Sequence, residues 1–150
     1  MKNNDFILRK GTKRDINVFY ELDNLCFEEG ISYPKEAFSY YLKSKNVLCY
    51  VIEEQNKIVA FIIASYQKSY AQIITIDVHP NYRRRGYGER LMKLVEEELI
   101  KVNVKFIFLY VAENNNSAIK LYQKFRYEIH SKIPNYYKHN LDAYIMIKNL

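Results

Sequence analysis

The spacing of apolar residues in this chain changes several times between a strand period and a helix period. Between residues 47 and 78, three segments read VLCYVIEE, KIVAFIIASYQK and YAQIITIDV. Their β-branched and aromatic residues are typical of strands. Polar turns at Gln55-Asn56 and Lys68-Ser69 separate the three segments. The pattern therefore predicts an antiparallel meander of three strands in the middle of the chain.

Helical spacing precedes this meander. A short strand is predicted in FILRKGT, and Thr12 is a candidate N-cap with Asp15 placed as in a capping box. The inner side of the following helix is expected to carry Ile16, Phe19, Tyr20, Leu22 and Leu25. Gly30 and Pro34 mark the segment CFEEGISYP as a loop, and Pro34 can open a second helix, KEAFSYYLKS.

The second half of the chain alternates in the same way. After Gly86 a helix is expected, with its inner stripe formed by Leu91, Leu94, Val95 and Leu99. Its polar positions, expected outside, are Glu96, Glu97 and Lys101. KFIFLYV is a predicted strand, and NNNSAIKLYQKF is a helix with inward positions Ala118, Leu121, Tyr122 and Phe125. Two last strands are predicted near residues 127–133 and 142–148.

The resulting element order is β-α-α-β-β-β-α-β-α-β-β. A strand, a helix and a strand across residues 70–110 require a crossover connection, so one parallel pair is expected in a mixed sheet. Gly and Pro are sparse, with 4 and 3 residues, and we find no repeat or linker. We therefore predict an α/β (α+β) fold in one domain over residues 1–150.

The composition is typical of a folded protein, and its net charge indicates which kind of partner to expect. Hydrophobic residues make up 49% and aromatic residues 15%, which argues against disorder. The formal net charge is +6, which favours an anionic partner. No nucleic-acid-binding signature accompanies the basic residues, so specific nucleic-acid binding is not expected.

Cysteine and histidine positions predict no metal site. Cys26 and Cys49 lie far apart, and His79, His130 and His139 are not spaced as ligands. The start of the chain breaks into charge after three apolar residues, unlike a secretory signal peptide. No apolar run approaches the roughly 18 residues of a membrane span. We expect a cytoplasmic protein without a membrane partner.

The segment VHPNYRRRGYGERL carries the clearest chemistry. A strand ends at Val78, and Arg83 to Gly88 lead into a helix. The first helical turn leaves backbone N–H groups without partners, and its dipole is positive there. Glycines allow an anion to approach those amides, so the junction predicts a pyrophosphate site. Arginines in a row are otherwise often a solvated face. The segment matches neither the dinucleotide fingerprint nor a Walker loop.

The residues of this segment and of the second half resemble a known family. RRRGYG matches the [Q/R]-x-x-G-x-[G/A] acetyl-coenzyme A signature of the GNAT acetyltransferases. LYVAENNNSAIKLYQKFRY is similar to the pattern L-E-V-x-x-x-N-x-x-A-x-x-L-Y-x-x-x-G-F. NYYKHNLDAYIM resembles the tyrosine hairpin of N-terminal acetyltransferases, including the ribosomal-protein-alanine type. The resemblance covers nearly the whole chain. It implies the GNAT fold, a mixed, mostly antiparallel sheet of about seven strands with four helices and a splay between strands 4 and 5.

The same resemblance implies acetyl-CoA as co-substrate and assigns residues to it. The pantetheine arm would pair with the backbone of Ile76, Asp77 and Val78. The pyrophosphate loop, acting mainly through amides, would comprise Arg83, Arg84, Arg85, Gly86, Tyr87, Gly88 and Glu89. Asn115, Ala118 and Tyr122 would meet the co-substrate where the strands separate.

The family pattern assigns a catalytic role to Tyr122, but it does not supply the catalytic base. Tyr122 would protonate the departing thiolate, the alternative being an ordinary core tyrosine. The ribosomal-protein-alanine type carries a glutamate base where this chain has Tyr110. Glu28 or Glu29 is a substitute acting through water, and we assign Glu29. The acceptor groove would be lined by Tyr33, Tyr110, Tyr136 and Tyr137. Arg126 replaces a common glycine.

The sequence thus predicts transfer of an acetyl group to a primary amine by direct attack in a ternary complex. The expected acceptor is the N-terminal α-amine of a protein or peptide, with the ribosome as a candidate setting. A small amine or polyamine acceptor, and a non-catalytic CoA-binding module, are the alternatives. Monomer and homodimer both stay open.

Overall fold

A computed structural model describes residues 5–150. The first four residues, on which the signal-peptide prediction rests in part, lie outside the described residues. The strands are β1 (Ile7–Lys10), β2 (Val47–Glu54), β3 (Lys57–Tyr66), β4 (Tyr70–Val78), β5 (Phe106–Ala112), β6 (Glu128–Tyr137) and β7 (Leu141–Asn149). The helices are α1 (Ile16–Cys26), α2 (Lys35–Lys43), α3 (Tyr87–Lys101) and α4 (Asn116–Lys124). The predicted element order is confirmed.

All seven strands form one sheet in the order β1-β2-β3-β4-β5-β7-β6. Every neighbouring pair is antiparallel except β4 and β5. The parallel pair is short, because only residues 70–72 pair with residues 106–108. Beyond that point β4 and β5 separate, so the predicted mixed sheet and splay are confirmed. Beyond the paired residues, the facing edges of β4 and β5 do not hydrogen-bond to each other.

Two apolar layers enclose the sheet. Helix α3 buries Leu91, Val95 and Leu99 on one face. On the other face Phe19 of α1 stacks on Phe61 of β3 with ring centroids 4.2 Å apart. Each such fully buried side chain contributes roughly 1.5–3 kcal/mol of transfer free energy. This packing fixes α1 and α3 on opposite sides of β4, next to the splay.

The inner face of α1 differs from the prediction. Tyr20 and Leu25 are 37% and 54% exposed, although both were expected to point inward. The buried positions are Phe19, Leu22 and Asp23. A charged residue is rarely buried unless it is partnered, and Asp23 accepts a hydrogen bond from the Tyr33 N–H at 2.7 Å. The helix is therefore turned toward this polar contact and away from Leu25.

The outer face of α3 also differs at one position. Glu96, predicted to lie outside, is buried. Its carboxylate accepts hydrogen bonds from the Tyr127 hydroxyl at 2.8 Å and from Lys148 Nζ at 2.5 Å. These two groups come from the far end of the chain, so local periodicity could not reveal them. Within residues 5–150, no helix has the length and apolar character needed to cross a membrane.

Candidate active site

The splay between β4 and β5 opens into a cavity of about 990 Å³. The volume is at the upper end of the range typical of small-molecule sites, about 300–1,000 Å³. The N-terminal end of α3 and the helix α4 line one side, and the loop between α1 and α2 lines the other. The hairpin of β6 and β7 contributes Tyr136 and Tyr137. The cavity therefore brings together the four predicted acceptor tyrosines and all of the predicted co-substrate residues except Asp77 and Arg85.

The N-terminus of α3 has the geometry of an anion site. Gly86 precedes the helix with φ +80°, a left-handed conformation that favours glycine. The first intrahelical bond runs from the Arg90 N–H to the Gly86 carbonyl at 3.0 Å. The N–H groups of Tyr87, Gly88 and Glu89 therefore lack helical acceptors and are available to phosphate oxygens.

The three arginines before this helix have different roles. Arg85 donates two hydrogen bonds to Glu54, at 2.8 and 3.0 Å, and lies over the Tyr82 ring. It does not line the cavity. Arg83 donates through Nε to the Val78 carbonyl at 3.0 Å. Arg84 lines the cavity, and its side chain enters no hydrogen bond or ion pair with residues 5–150. Of the three predicted cofactor contacts, Arg84 has the guanidinium best placed for phosphate.

The end of β4 presents backbone groups to the cavity. The Val78 carbonyl accepts from Arg83 Nε and from Cys26 Sγ, at 3.0 and 3.4 Å, and not from β3. In a strand, the N–H and the carbonyl of one residue point to the same edge. The Val78 N–H therefore faces the splay. Burial raises the pKa of the Cys26 thiol to about 12. The thiol is thus neutral near pH 7 and unsuited to nucleophilic attack.

Tyr122 lies on the cavity side of α4 and is buried. Burial raises the pKa of its phenol, and the nearby Asp77 and Tyr137 add to this effect. The hydroxyl therefore keeps its proton at neutral and mildly alkaline pH. Helix α4 starts at a side-chain cap, because Asn115 Oδ1 accepts the Ala118 N–H at 3.2 Å. Asn115 and Ala118 both line the cavity, and the cap is a structural role that the sequence did not reveal.

The four tyrosines predicted for the acceptor groove, Tyr33, Tyr110, Tyr136 and Tyr137, all line the cavity. Tyr110 and Tyr136 stack with ring centroids 4.9 Å apart and an interplanar angle of 13°. Tyr137 meets Tyr136 edge-on at 4.9 Å. Tyr33 donates its hydroxyl proton to the Ile74 carbonyl at 3.2 Å. The four tyrosine rings thus form one aromatic wall of the cavity.

The predicted base is not at this wall. Glu28 and Glu29 are both exposed, and of the two only Glu28 lines the cavity. The glutamate position of the family pattern holds Tyr110, whose ring is engaged by Tyr136. The structure therefore leaves Glu28 as the loop carboxylate at the cavity.

A polar group that the sequence reasoning missed lies beside β4. Asp23, Thr75 and Asp77 are all buried and face one another. Burial raises the pKa of both carboxyl groups, and the neighbouring Asp23 raises that of Asp77 further. A sequence signal exists for Asp23 alone, since it follows Phe19 at a helical spacing of four on the inner face. Among residues 5–150, no group of three or more His, Cys, Asp or Glu side chains could hold a metal ion.

Comparisons with known proteins agree with this geometry. A model of the acetyltransferase (GNAT) family matches residues 16–127. An N-alpha-acetyltransferase of Saccharolobus solfataricus is 26% identical over 162 residues, which cover 99% of this chain and 96% of that relative. The ribosomal-protein-S18-alanine N-acetyltransferase of Escherichia coli superimposes with a TM-score of 0.88 at 24% identity, covering 97% and 94% of the two chains. Arabidopsis thaliana NAA60 in complex with acetyl-CoA gives 0.85 at 17% identity, covering 97% and 99%.

Proposed function

Because this chain belongs to the acetyltransferase (GNAT) family, we propose that it transfers the acetyl group of acetyl-CoA to the N-terminal α-amine of a protein or peptide. The observation that supports this acceptor is the tyrosine wall formed by Tyr33, Tyr110, Tyr136 and Tyr137 at one end of the cavity. Extended peptides bind well to aromatic surfaces that also offer polar tips. The N-alpha-acetyltransferase of Saccharolobus solfataricus matches along almost the whole chain.

The proposed reaction is a direct attack of the neutral amine on the thioester carbonyl. The Val78 N–H would donate to the oxygen on which charge develops. Tyr122 would give its proton to the departing thiolate, which its raised pKa permits because the phenol is protonated before the reaction. The amides of Tyr87, Gly88 and Glu89 would hold the pyrophosphate.

The acceptor is tested by mass spectrometry of peptides incubated with the protein and acetyl-CoA. We expect a gain of one acetyl group on the α-amine of peptides that also contain an internal lysine. The matched control is the same peptide with a blocked N-terminus, which should remain unmodified. Acetylation confined to lysine ε-amines, or acetylation of neither amine, would contradict the proposal.

We call the α3 amides of residues 87–89, together with Arg84 and Gly86, the phosphate cradle. If it binds the pyrophosphate, two substitutions in it should lower the affinity for coenzyme A. Arg84→Ala should remove a charge-assisted hydrogen bond of about 1.5–3 kcal/mol, which is roughly a 10- to 150-fold higher Kd. Gly86→Val should weaken binding at least as much, because a β-branched residue is strained at φ +80°. Both Kd values can be measured by calorimetry.

Arg85→Ala is the comparison for Arg84→Ala. Because Arg85 is held by Glu54 outside the cavity, its loss should change the Kd for coenzyme A by no more than a few-fold. Equal losses for the two arginines would contradict the assignment of Arg84. Normal binding by a folded Gly86→Val variant would overturn the cradle itself.

A small-molecule amine is the second candidate acceptor. The net charge of +6 disfavours polycationic substrates, whereas a protein acceptor on the ribosome agrees with a basic surface. An acceptor screen that follows thiol release would separate the two. We further propose that the protein is cytoplasmic. Both a monomer and a homodimer are compatible with this function.

A further inference from the structure

The group of Asp23, Thr75 and Asp77 is the least expected feature of the cavity wall. Side chains alternate across a strand, and Ile76 and Val78 pack toward α3 and α4. Thr75 and Asp77 therefore face α1, where Asp23 is buried. Asp23 and Thr75 line the cavity, while Asp77 lies behind them. Two carboxyl groups thus meet without a cationic side chain between them.

The hydrogen bonds of this group require a proton that the sequence does not reveal. Thr75 Oγ1 lies 2.5 Å from Asp77 Oδ1 and 3.5 Å from Asp23 Oδ1. A threonine hydroxyl has one hydrogen, so it can donate to only one of the two carboxylates. Asp77 Oδ2 is buried and has no hydrogen-bond partner within residues 5–150. A proton on Asp77 that is donated to Thr75 Oγ1 would let Thr75 donate to Asp23.

Asp23 is the member suited to carry negative charge. It accepts the Tyr33 N–H at 2.7 Å, and such bonds stabilise the ionised carboxylate. The groups that face the pair from the surrounding elements are Cys26, Tyr33, Arg83 and Tyr122. Of these four, only the arginine is charged at neutral pH.

We propose that the Asp23 carboxylate accepts the proton that the acceptor amine loses, and that Thr75 and Asp77 hold it in place through a hydrogen-bonded chain. The inference rests on the proposed acetyl transfer. In that reaction the acceptor ammonium first gives one proton to Asp23. The neutral amine then forms the C–N bond, the C–S bond breaks, the nitrogen loses its second proton to water, and the thiolate takes the Tyr122 proton. Exchange with water then removes the proton from Asp23 and restores that of Tyr122. Asp23 is the catalytic residue here, and Thr75 and Asp77 are positioning residues.

The first test is the pH dependence of kcat/KM with acetyl-CoA and a peptide that the wild-type protein acetylates. Asp23→Asn should lower kcat/KM by at least 100-fold at pH 7. The loss should shrink above pH 9, where an α-amine with a pKa of about 8 is already neutral. A loss that is constant across pH, or one below three-fold, would overturn the proposal. The same pH-dependent loss in Glu28→Gln, with Asp23→Asn active, would assign the proton to Glu28 instead.

Thr75 provides a second pair of variants in case Asp23→Asn does not fold. Thr75→Ser keeps the hydroxyl and should retain activity within a few-fold, whereas Thr75→Val should lower kcat/KM by at least 10-fold at pH 7. Equal activity of the two variants would overturn the proposed hydrogen-bonded chain of Asp23, Thr75 and Asp77. A wild-type protein that acetylates no amine would refute the proposed function, and this result is distinct from an active protein that is indifferent to Asp23 and Thr75.

Thermal stability gives a readout that needs no acetyl-CoA. A group whose pKa is raised by folding stabilises the protein below its unfolded pKa, and this contribution is lost as pH rises. Asp77→Asn mimics the protonated acid, so its Tm should exceed that of the wild type by a margin that grows from pH 5 to pH 8. A lower Tm throughout this range would refute the proton on Asp77.

Asp15→Asn is the matched control, because Asp15 is also buried but is paired. Burial opposes its ionisation, yet hydrogen bonds from Arg9 and the Thr12 N–H keep the pKa of Asp15 below its usual value. Asp15→Asn should therefore lower the Tm at neutral pH, opposite in sign to Asp77→Asn. It should leave the shape of the kcat/KM profile unchanged. A change of that shape as large as in Asp23→Asn would show that any buried aspartate affects it and would overturn the proposal.

Discussion

Replacing Tyr122 with phenylalanine is expected to lower kcat by about 100- to 10,000-fold, the range typical of general acid catalysis. The phenol lines the cavity and is buried, whereas Ser117, the other hydroxyl of α4 at the cavity, is exposed. The ring stays in place in the variant because it packs against the Tyr127 ring, with centroids 5.9 Å apart. The Kd for acetyl-CoA should therefore change by less than about three-fold. Thiol release measures kcat, and calorimetry measures the Kd.

Tyr127→Phe is the control for this substitution. Its hydroxyl donates to Glu96 and not to the cavity, so kcat should stay within a few-fold while the free energy of unfolding falls. A Tyr122→Phe protein with wild-type kcat would exclude the tyrosine as the proton donor. A binding-only role for the protein would be excluded by the expected result, since turnover would depend on one hydroxyl while binding would not.

Replacing Lys148 with methionine is expected to lower the free energy of unfolding by about 3 kcal/mol, because it leaves the buried Glu96 carboxylate without its cation. Lys148 Nζ lies 2.5 Å from Glu96 Oε1, and both side chains are mostly buried. The Tyr127 hydroxyl would remain as one donor to the carboxylate. The loss can be measured by urea unfolding monitored by circular dichroism.

Lys101→Met is the matched control for Lys148→Met. Lys101 Nζ pairs with Glu98 at 2.7 Å, but its side chain is 71% exposed. Exposed pairs of this kind contribute at most about 1 kcal/mol, so the free energy of unfolding should change little. Similar losses of unfolding free energy for the two lysine variants would show that the buried pair of Glu96 and Lys148 contributes no more than an exposed pair.

Local signals in the sequence were sufficient for the strands and helices and for the start of α3 after Gly86. The change from a strand period to a helix period at Gly86 depends on residues that are neighbours in the chain, and so does the αL conformation before α3. The crossover from β4 to β5 requires a parallel pair for topological reasons alone. The positions of Tyr33, Tyr110, Tyr136 and Tyr137 at one cavity followed from the family pattern, not from periodicity.

The directions of individual side chains were decided by tertiary structure. Arg84 and Arg85 are adjacent in sequence, yet Arg85 turns to Glu54, which is 31 residues away, and only Arg84 lines the cavity. Glu29 was the assigned base, but the path of its loop places Glu28 and not Glu29 at the cavity. The direction of Arg85 and the position of Glu29 do not depend on their sequence neighbours, so the local sequence pattern could not predict them.

The sequence by itself determined the order of the strands and helices and the glycine turn before α3, because these depend on periods and turns that span a few residues. The class of chemistry followed from the motifs shared with the acetyltransferase (GNAT) family. Only the tertiary structure decided which polar side chains are buried. Thr75 lies 52 residues from Asp23, and Lys148 lies 52 residues from Glu96. A buried carboxylate is tolerated only where a partner meets it, and folding alone brings such distant partners together.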